Sequence, residues 1–336
     1  MRIRRRLPIL AGVLLVAGAV AVVVFLLKHA PPEAARLLPS ADGFIYINLR
    51  DIRRANIGGQ LAPVSYDPEY QKFLEATGFQ FERDLDEAAF AIHYPTEANS
   101  KAEPRYSEVF VGKIQGDRLR QFLRKIASSV ESYNATDIYT IHLEGRTLRV
   151  AILGVDTVAA SNVDDPEVIR GMIERSHKLA SPFAGPALLR KYYKKIPFTS
   201  RYLPFAGLAW AIFRVEPLVG RVDPTPMGLS FLFAKPAVVV ASLRAFNGVH
   251  MRAEAFTDSS EDAKHVADQL TTFLTIFHTA EKNAGGNGTD PDLKQFFDSL
   301  KVEQDGERVV LTATAPLGLI HKLTQPEPAS SPSVKP

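Results

Sequence analysis

The 336-residue chain has no cysteine and a single tryptophan. Without cysteine there is no disulfide scaffold, no thiolate zinc site, no cysteine nucleophile and no thioether-linked lipid anchor. Its eight histidines fall in no HxH, HxxxH or HExxH spacing, so no metal-binding pair is written into the chain. Gly-x-Ser-x-Gly, a helix-opening Ser-x-x-Lys, Gly-x-Gly-x-x-Gly and the phosphate-cradling Gly-rich loop ending in Lys-Ser/Thr are all missing, so neither serine hydrolysis nor nucleotide chemistry is signalled. No cofactor is expected.

A strong excess of one charge is also lacking. The formal net charge is +3, and Arg2, Arg4, Arg5, Arg6 and Lys28 alone carry five positive charges, which leaves about −2 for everything else. The basic pI of 8.9 therefore belongs to one short region. It gives no support to a nucleic-acid partner, which needs a basic face on the folded domain.

What is present is a membrane signature. Leu7 to Leu27 is an uncharged run of 21 residues, about 32 Å long as a helix and matched to a bilayer's hydrocarbon core. The arginines before it predict an amino terminus held in the cytoplasm and a chain delivered across a cytoplasmic membrane after Lys28. A cleavable signal peptide competes, with Ala19-Val20-Ala21 as the cut site, but cleavage there leaves the apolar strip from Val22 to Leu27 as a new terminus. The uncleaved anchor is the expectation. Small residues in the span form no GxxxG and read as ordinary membrane-helix composition.

The remainder divides by composition. Residues 1–28 are the basic stub and anchor, and 29–36 (HAPPEAAR) read as a short stiff stalk because Pro31 and Pro32 favour extended backbone. Residues 37–181 form a first α+β unit, 182–204 a connection and 205–323 a second α+β unit. Residues 324–336 carry too few apolar groups to offset the entropy of ordering and are expected to be a disordered tail.

In the first unit, β-branched and aromatic runs predict strands at 44–49, 88–93, 108–114, 138–143, 147–153 and 157–161. Helices are predicted at 70–77, after an Asp117 cap with Leu119, Phe122, Leu123 and Ile126 on one stripe, and from Asp165-Pro166 to about Ser176. In the second, strands are predicted at 209–215, 237–243 and 249–256, the last two joined at Asn247-Gly248. Ser259 and Asp262 resemble a capping box, followed by a helix with Ala263, Val266, Ala267, Leu270, Phe273, Leu274 and Phe277 on one face. A helix at 293–300 and a hairpin about Asp305-Gly306 complete it. Both units thus run strands, amphipathic helix, hairpin, and the turn at Glu144-Gly145-Arg146 parallels that at Asp305-Gly306-Glu307. Two diverged copies of a unit that buries one sheet face under its helices fit this order.

Leu37-Leu38-Pro39-Ser40-Ala41-Asp42-Gly43-Phe44-Ile45-Tyr46 after an anchor, then Glu108-Val109-Phe110-Val111-Gly112-Lys113 and a duplicated body, resembles uncharacterised bacterial membrane-anchored extracytoplasmic proteins of the domain-of-unknown-function kind. The resemblance implies location and fold type and brings no catalytic residues.

Of the candidate sites, Asp156, Asp164, Asp165 and Glu167 form one acidic group that caps a helix more readily than it holds calcium, for it lacks the alternation and central glycine of an EF-hand loop. Glu82, Asp84, Asp86 and Glu87 form a second, read as a solvated turn. His93 and His142 sit in strands and read as structural. Arg190, Lys191, Tyr192, Tyr193, Lys194 and Lys195, with Arg201 beyond, are the segment with a claim to binding, since cations interleaved with tyrosines suit anionic groups. The plainer expectation for it is a helix end with snorkelling lysines and half-buried tyrosines. The leading expectation is a single-pass envelope protein whose duplicated domain binds an envelope protein or glycan without catalysis. The alternatives are an envelope-polymer hydrolase, which requires two carboxylates facing across a cleft, and a purely structural subunit.

Overall fold

The computed structural model describes residues 30–55, 68–95, 103–143, 145–177, 185–196, 207–217, 226–284 and 290–324. The elements in chain order are α1 (Glu33–Leu37), β1 (Gly43–Asn48), α2 (Leu49–Arg54), α3 (Pro68–Thr77), α4 (Phe81–Asp84), β2 (Leu85–His93), β3 (Arg105–Gly112), α5 (Gly116–Ile126), β4 (Ser129–Tyr133), β5 (Thr136–Leu143), β6 (Arg146–Ile152), β7 (Thr157–Ser161), α6 (Glu167–Ser176) and α7 (Ala187–Tyr193). They continue with β8 (Ala209–Val215), a 3-10 turn (Pro226–Leu232), β9 (Ala237–Ala245), β10 (Val249–Phe256), α8 (Ser260–Ala284), α9 (Pro291–Ser299), β11 (Lys301–Asp305), β12 (Arg308–Ala315) and α10 (Leu317–Thr324).

Among the described residues all twelve strands join one antiparallel sheet in the order β11-β12-β10-β9-β8-β1-β2-β3-β7-β6-β5-β4. The expected α+β class is therefore found, with every neighbouring pair antiparallel. Each run of the chain places three consecutive strands side by side, then a helix, then strands whose last member returns beside the third: β7 lies next to β3, and β12 next to β10. The two runs meet where β1 pairs with β8, from Gly43 opposite Phe213 to Ile47 opposite Ala209. On this order β12 corresponds to β7. The sequence parallel between the Gly145 and Gly306 turns instead equates β12 with β6, one strand farther out.

Alternation along the strands decides which face each helix covers. Leu119 and Leu123 of α5 pack on Tyr139, Ile141, Val150, Val158 and Ala160. On the same face α8 sets Ala263 and Val266 against Val215, Ala237, Ala255 and Val309. The residues one step along, Ile138, Ala151, Ala159, Phe44, Trp210 and Ile212, look the other way and are covered by Ile169, Met172 and Ile173 of α6, Leu188 and Leu189 of α7, and α1. The expectation of one buried face per unit is thus corrected: the first unit's strands are covered on both sides, which explains the alanines in β2, β6 and β7, where helices approach closely.

The stalk also needs correction. Ala34 and Ala35 are fully buried, as are Leu37 and Leu38, and Arg175 Nε donates to the Leu37 carbonyl at 2.8 Å. The chain from Pro31 onward is part of the core, because Ala34, Ala35 and Leu37 of a five-residue helix fill the space beside α6. The strand β4 (Ser129-Val130-Glu131-Ser132-Tyr133) was not foreseen, for it is a polar edge strand exposed along most of its length. It turns into β5 through Asn134 and Ala135, both at positive φ. Asp117 does not cap α5; it lies inside the first turn and pairs with Arg120 at 2.8 Å. The expected anchor, Leu7 to Leu27, and the tail beyond Thr324 lie outside the described residues. Among the described residues no helix is long and apolar enough to cross a membrane.

Candidate functional site

The segment from Arg190 to Lys195 ends α7, whose buried side holds Leu188 and Leu189 in the core. Tyr192 and Tyr193 are half-buried and Arg190, Lys191, Lys194 and Lys195 are exposed. Both tyrosines sit on an aromatic floor. Tyr193 meets Trp210 of β8 edge-on at 5.6 Å, Trp210 stacks on Tyr46 of β1 at 5.5 Å, and Tyr192 lies 5.7 Å from Phe256 of β10. The lysines stand over the same rings, Lys191 Nζ at 5.1 Å from the Tyr192 centroid and Lys195 Nζ at 6.0 Å from that of Phe256. The ammonium groups of Lys191 and Lys195 thus rest over aromatic rings in cation–π contact, on residues that remain exposed. These cations also complement the negative end of the helix dipole. The outcome is the snorkelling helix end anticipated above, with its charge concentrated on one outward surface. Arg201 lies outside the described residues.

Beneath this surface lies a buried polar pair with no sequence signature. Burial pushes the Tyr46 hydroxyl well above the phenol range, reinforced by its hydrogen bond to Glu87. Burial likewise raises the Glu87 carboxyl, opposed by the Tyr46 hydrogen bond and the Arg50 guanidinium. The acidic group at 82–87 is thereby split. Asp84 is held below the usual carboxylate range chiefly by Arg83, and it accepts from Gln80 N at 3.0 Å. Asp86 pairs with Arg50 at 3.0 Å and Arg53 at 2.6 Å. Glu82 accepts from the Tyr70 hydroxyl at 3.3 Å. Asp86 sits at the irregularity between Leu85 and Glu87 in the β2–β3 register, so it turns to Arg50 and Arg53 while Glu87 reaches Tyr46.

In the other acidic group only Asp165 bonds the backbone at the start of α6, and the rest form ion pairs or side-chain hydrogen bonds. Asp165 Oδ1 accepts from Glu167 N at 2.9 Å, Asp164 pairs with Arg105 at 3.3 Å, Glu167 with Arg170 at 2.5 Å, and Asp156 with the Thr157 hydroxyl at 2.9 Å. No cluster of three metal-ligating side chains occurs among the described residues.

A serine–histidine contact is present that the sequence did not announce. His93 Nε2 is 3.1 Å from Ser107 Oγ, which lies 2.9 Å from Ser161 Oγ. The distance suits a base and nucleophile. Ser107, however, has no exposed surface and Ser161 only 2 %, so no substrate reaches either hydroxyl. Burial lowers the His93 pKa, with Asp42 pulling the other way. The trio is a core hydrogen-bond chain across β2, β3 and β7, as expected for His93. His142 likewise lies in a strand, as expected, but near the exposed end of β5, where it meets Thr147 Oγ1 at 3.4 Å.

No family model matches the chain, and no curated protein matches it. Among solved structures, crystal form III of TP0453 is similar over 88% of this chain and 97% of that one, at 10% identity and a TM-score of 0.45. Crystal form I of TP0453 gives 10% identity, 86% and 95% coverage and a TM-score of 0.42, and crystal form IV gives 8%, 87% and 96%, and 0.43.

Proposed function

We propose that this protein is a single-pass, membrane-anchored, extracytoplasmic binding module of the uncharacterised bacterial kind its sequence resembles. Leu7 to Leu27 crosses the cytoplasmic membrane with the amino terminus inside. The body beyond it is a diverged duplication, a reading supported by the shared order of three strands, helix and returning strand and by α5 and α8 lying on one face. The α7 surface recognises an acidic envelope component, protein or glycan. The observation that carries this reading is the outward cluster of Lys191, Lys194 and Lys195 on a rigid aromatic floor.

The test is co-sedimentation of the full chain with purified cell-wall and membrane fractions, comparing wild type with the Lys191→Glu, Lys194→Glu, Lys195→Glu triple variant. A several-fold drop in the bound fraction is expected, with binding that weakens as salt shortens the Debye length below about 8 Å. Equal binding by the two proteins removes α7 from the function. Topology is read separately from protease digestion of a carboxy-terminal tag on spheroplasts: digestion in intact spheroplasts is expected, and digestion only after permeabilisation overturns it.

A further inference from the structure

The anchor reading and the burial of α1 together leave almost no tether. From Leu27 to the buried Pro31 there are four chain steps, about 14 Å at full extension. The polar layer on one side of a bilayer is itself about 5–8 Å thick. A domain so tied cannot stand clear of the membrane, and the end at which the chain enters must lie against it.

That end is identifiable. α1 packs against β2 and β3, with Glu33 at its start within electrostatic reach of Glu87, and Glu87 pairs with Asn48 at the close of β1. From Asn48 the register carries along one edge of the sheet. Glu87 pairs with Val111 and Val111 with Thr157, so the turn at 153–156 is at this end. Ile47 pairs with Ala209 and Ala209 with Leu243, so the turn at 246–248 is there too. The tips of these two turns carry Val155, 89% exposed, and Phe246, 65% exposed. Large apolar side chains held out at hairpin tips are what a membrane interface accepts.

The Phe246 tip is built rather than loose. The Arg244 guanidinium lies 5.8 Å from the Phe246 ring centroid. His250 Nε2 donates to the Phe246 carbonyl at 2.7 Å, and its Nδ1 contacts Thr314 Oγ1 at 3.0 Å. An aromatic ring beside a cation is the pairing that settles at headgroup level. Arg50 and Arg54 of α2, with side chains 45% and 64% exposed and paired with Asp86 and Asp51, follow Asn48 at the same end.

We propose that this end of the sheet is a membrane-contacting surface, with Val155 and Phe246 seated in the headgroup layer of the bilayer that holds the chain's own anchor, and Arg50 and Arg54 against its phosphates. The proposal rests on the anchor reading above.

Because the chain lacks cysteine, a single introduced thiol labels uniquely. Full-length Val155→Cys and Leu143→Cys proteins, each carrying one fluorophore, are reconstituted into phosphatidylcholine–phosphatidylglycerol vesicles containing a lipid with a headgroup-borne quencher. Leu143 is the control: it is also an exposed apolar hairpin residue, at the opposite end of β6. Quenching at position 155 at least about threefold stronger than at 143, in protein resistant to alkaline carbonate extraction, is the expected result. Equal quenching, quenching stronger at 143, or none at either site in carbonate-resistant protein overturns the orientation and leaves the anchor standing. Release of the protein by carbonate overturns the anchor reading and the orientation with it.

Discussion

Glu108 shows how a single carboxyl is placed by alternation along a strand. It pairs with Phe90 and Ala160 in mid-sheet, and burial alone raises its pKa. A carboxyl whose folded pKa is raised favours the folded state when protonated, and that stability is lost as the pH rises through the folded value. Glu108→Gln, which mimics the protonated acid, is therefore expected to raise the melting temperature at pH 8 and to leave it unchanged near pH 4; an equal shift at both would remove ionisation as the cause. Gly112 illustrates a steric constraint. A Cβ there would strike the Asp84 carbonyl and lie 3.0 Å from Leu85 Cα, at the place where the β2–β3 register shifts between Leu85 and Glu87. Backbone cannot yield as a flexible side chain does, so Gly112→Ala should cost about 1–3 kcal/mol by urea denaturation. Neither constraint is visible in the sequence, where Glu108 reads as a polar strand residue and Gly112 as an unremarkable glycine.

At the scale of elements, the long helix α8 is the clearest case of local determination. Ser259 Oγ accepts from Asp262 N at 3.2 Å and donates to Asp262 Oδ2 at 2.6 Å, so the capping pair forms as its spacing foretells. Ser259→Ala should cost about 1 kcal/mol. The Asp262 carboxyl is held below its ordinary range by the Ser259 hydroxyl and then by Lys235, so this stabilisation is present above the unfolded pKa and lost as the pH falls through the folded one. Urea melts at pH 7 and pH 3 read both effects; an undiminished cost at pH 3 would count against the carboxylate. Elements with strong periodicity or strong turn chemistry were legible in this way: α5, α8, the strand at 157–161 and the Asp305-Gly306 hairpin. The edge strand β4 and the buried α1 were not. A five-residue polar strand has no pattern of its own, and α1 is held by what covers it rather than by its caps.

At the scale of the whole molecule, the join between the two halves is the decisive contact. Trp210, the sole tryptophan, lies on β8 against Tyr46 of β1 and under Tyr193 of α7. Its fluorescence therefore reports the β1–β8 seam, while far-UV circular dichroism reports all twelve strands. With the sheet continuous across the seam, the two signals are expected to change together in urea; a dichroism transition without a matching change in Trp210 would mean the halves unfold separately.

The 21-residue uncharged run, the near-neutral body, the α+β class and the basic character of 190–195 were determined by the sequence by itself, because each depends on composition or on spacing within one segment. Which strands meet was decided only by the tertiary structure: β1 against β8, β7 against β3, and hence Tyr46 under Trp210, Glu87 turned inward beside Tyr46, and Val155 and Phe246 at one end. Pairing between segments that lie far apart in the chain, as Val109 and Ala159 or Ile45 and Ala211 do, depends on how whole sheet faces are covered, and local periodicity carries no record of its partner.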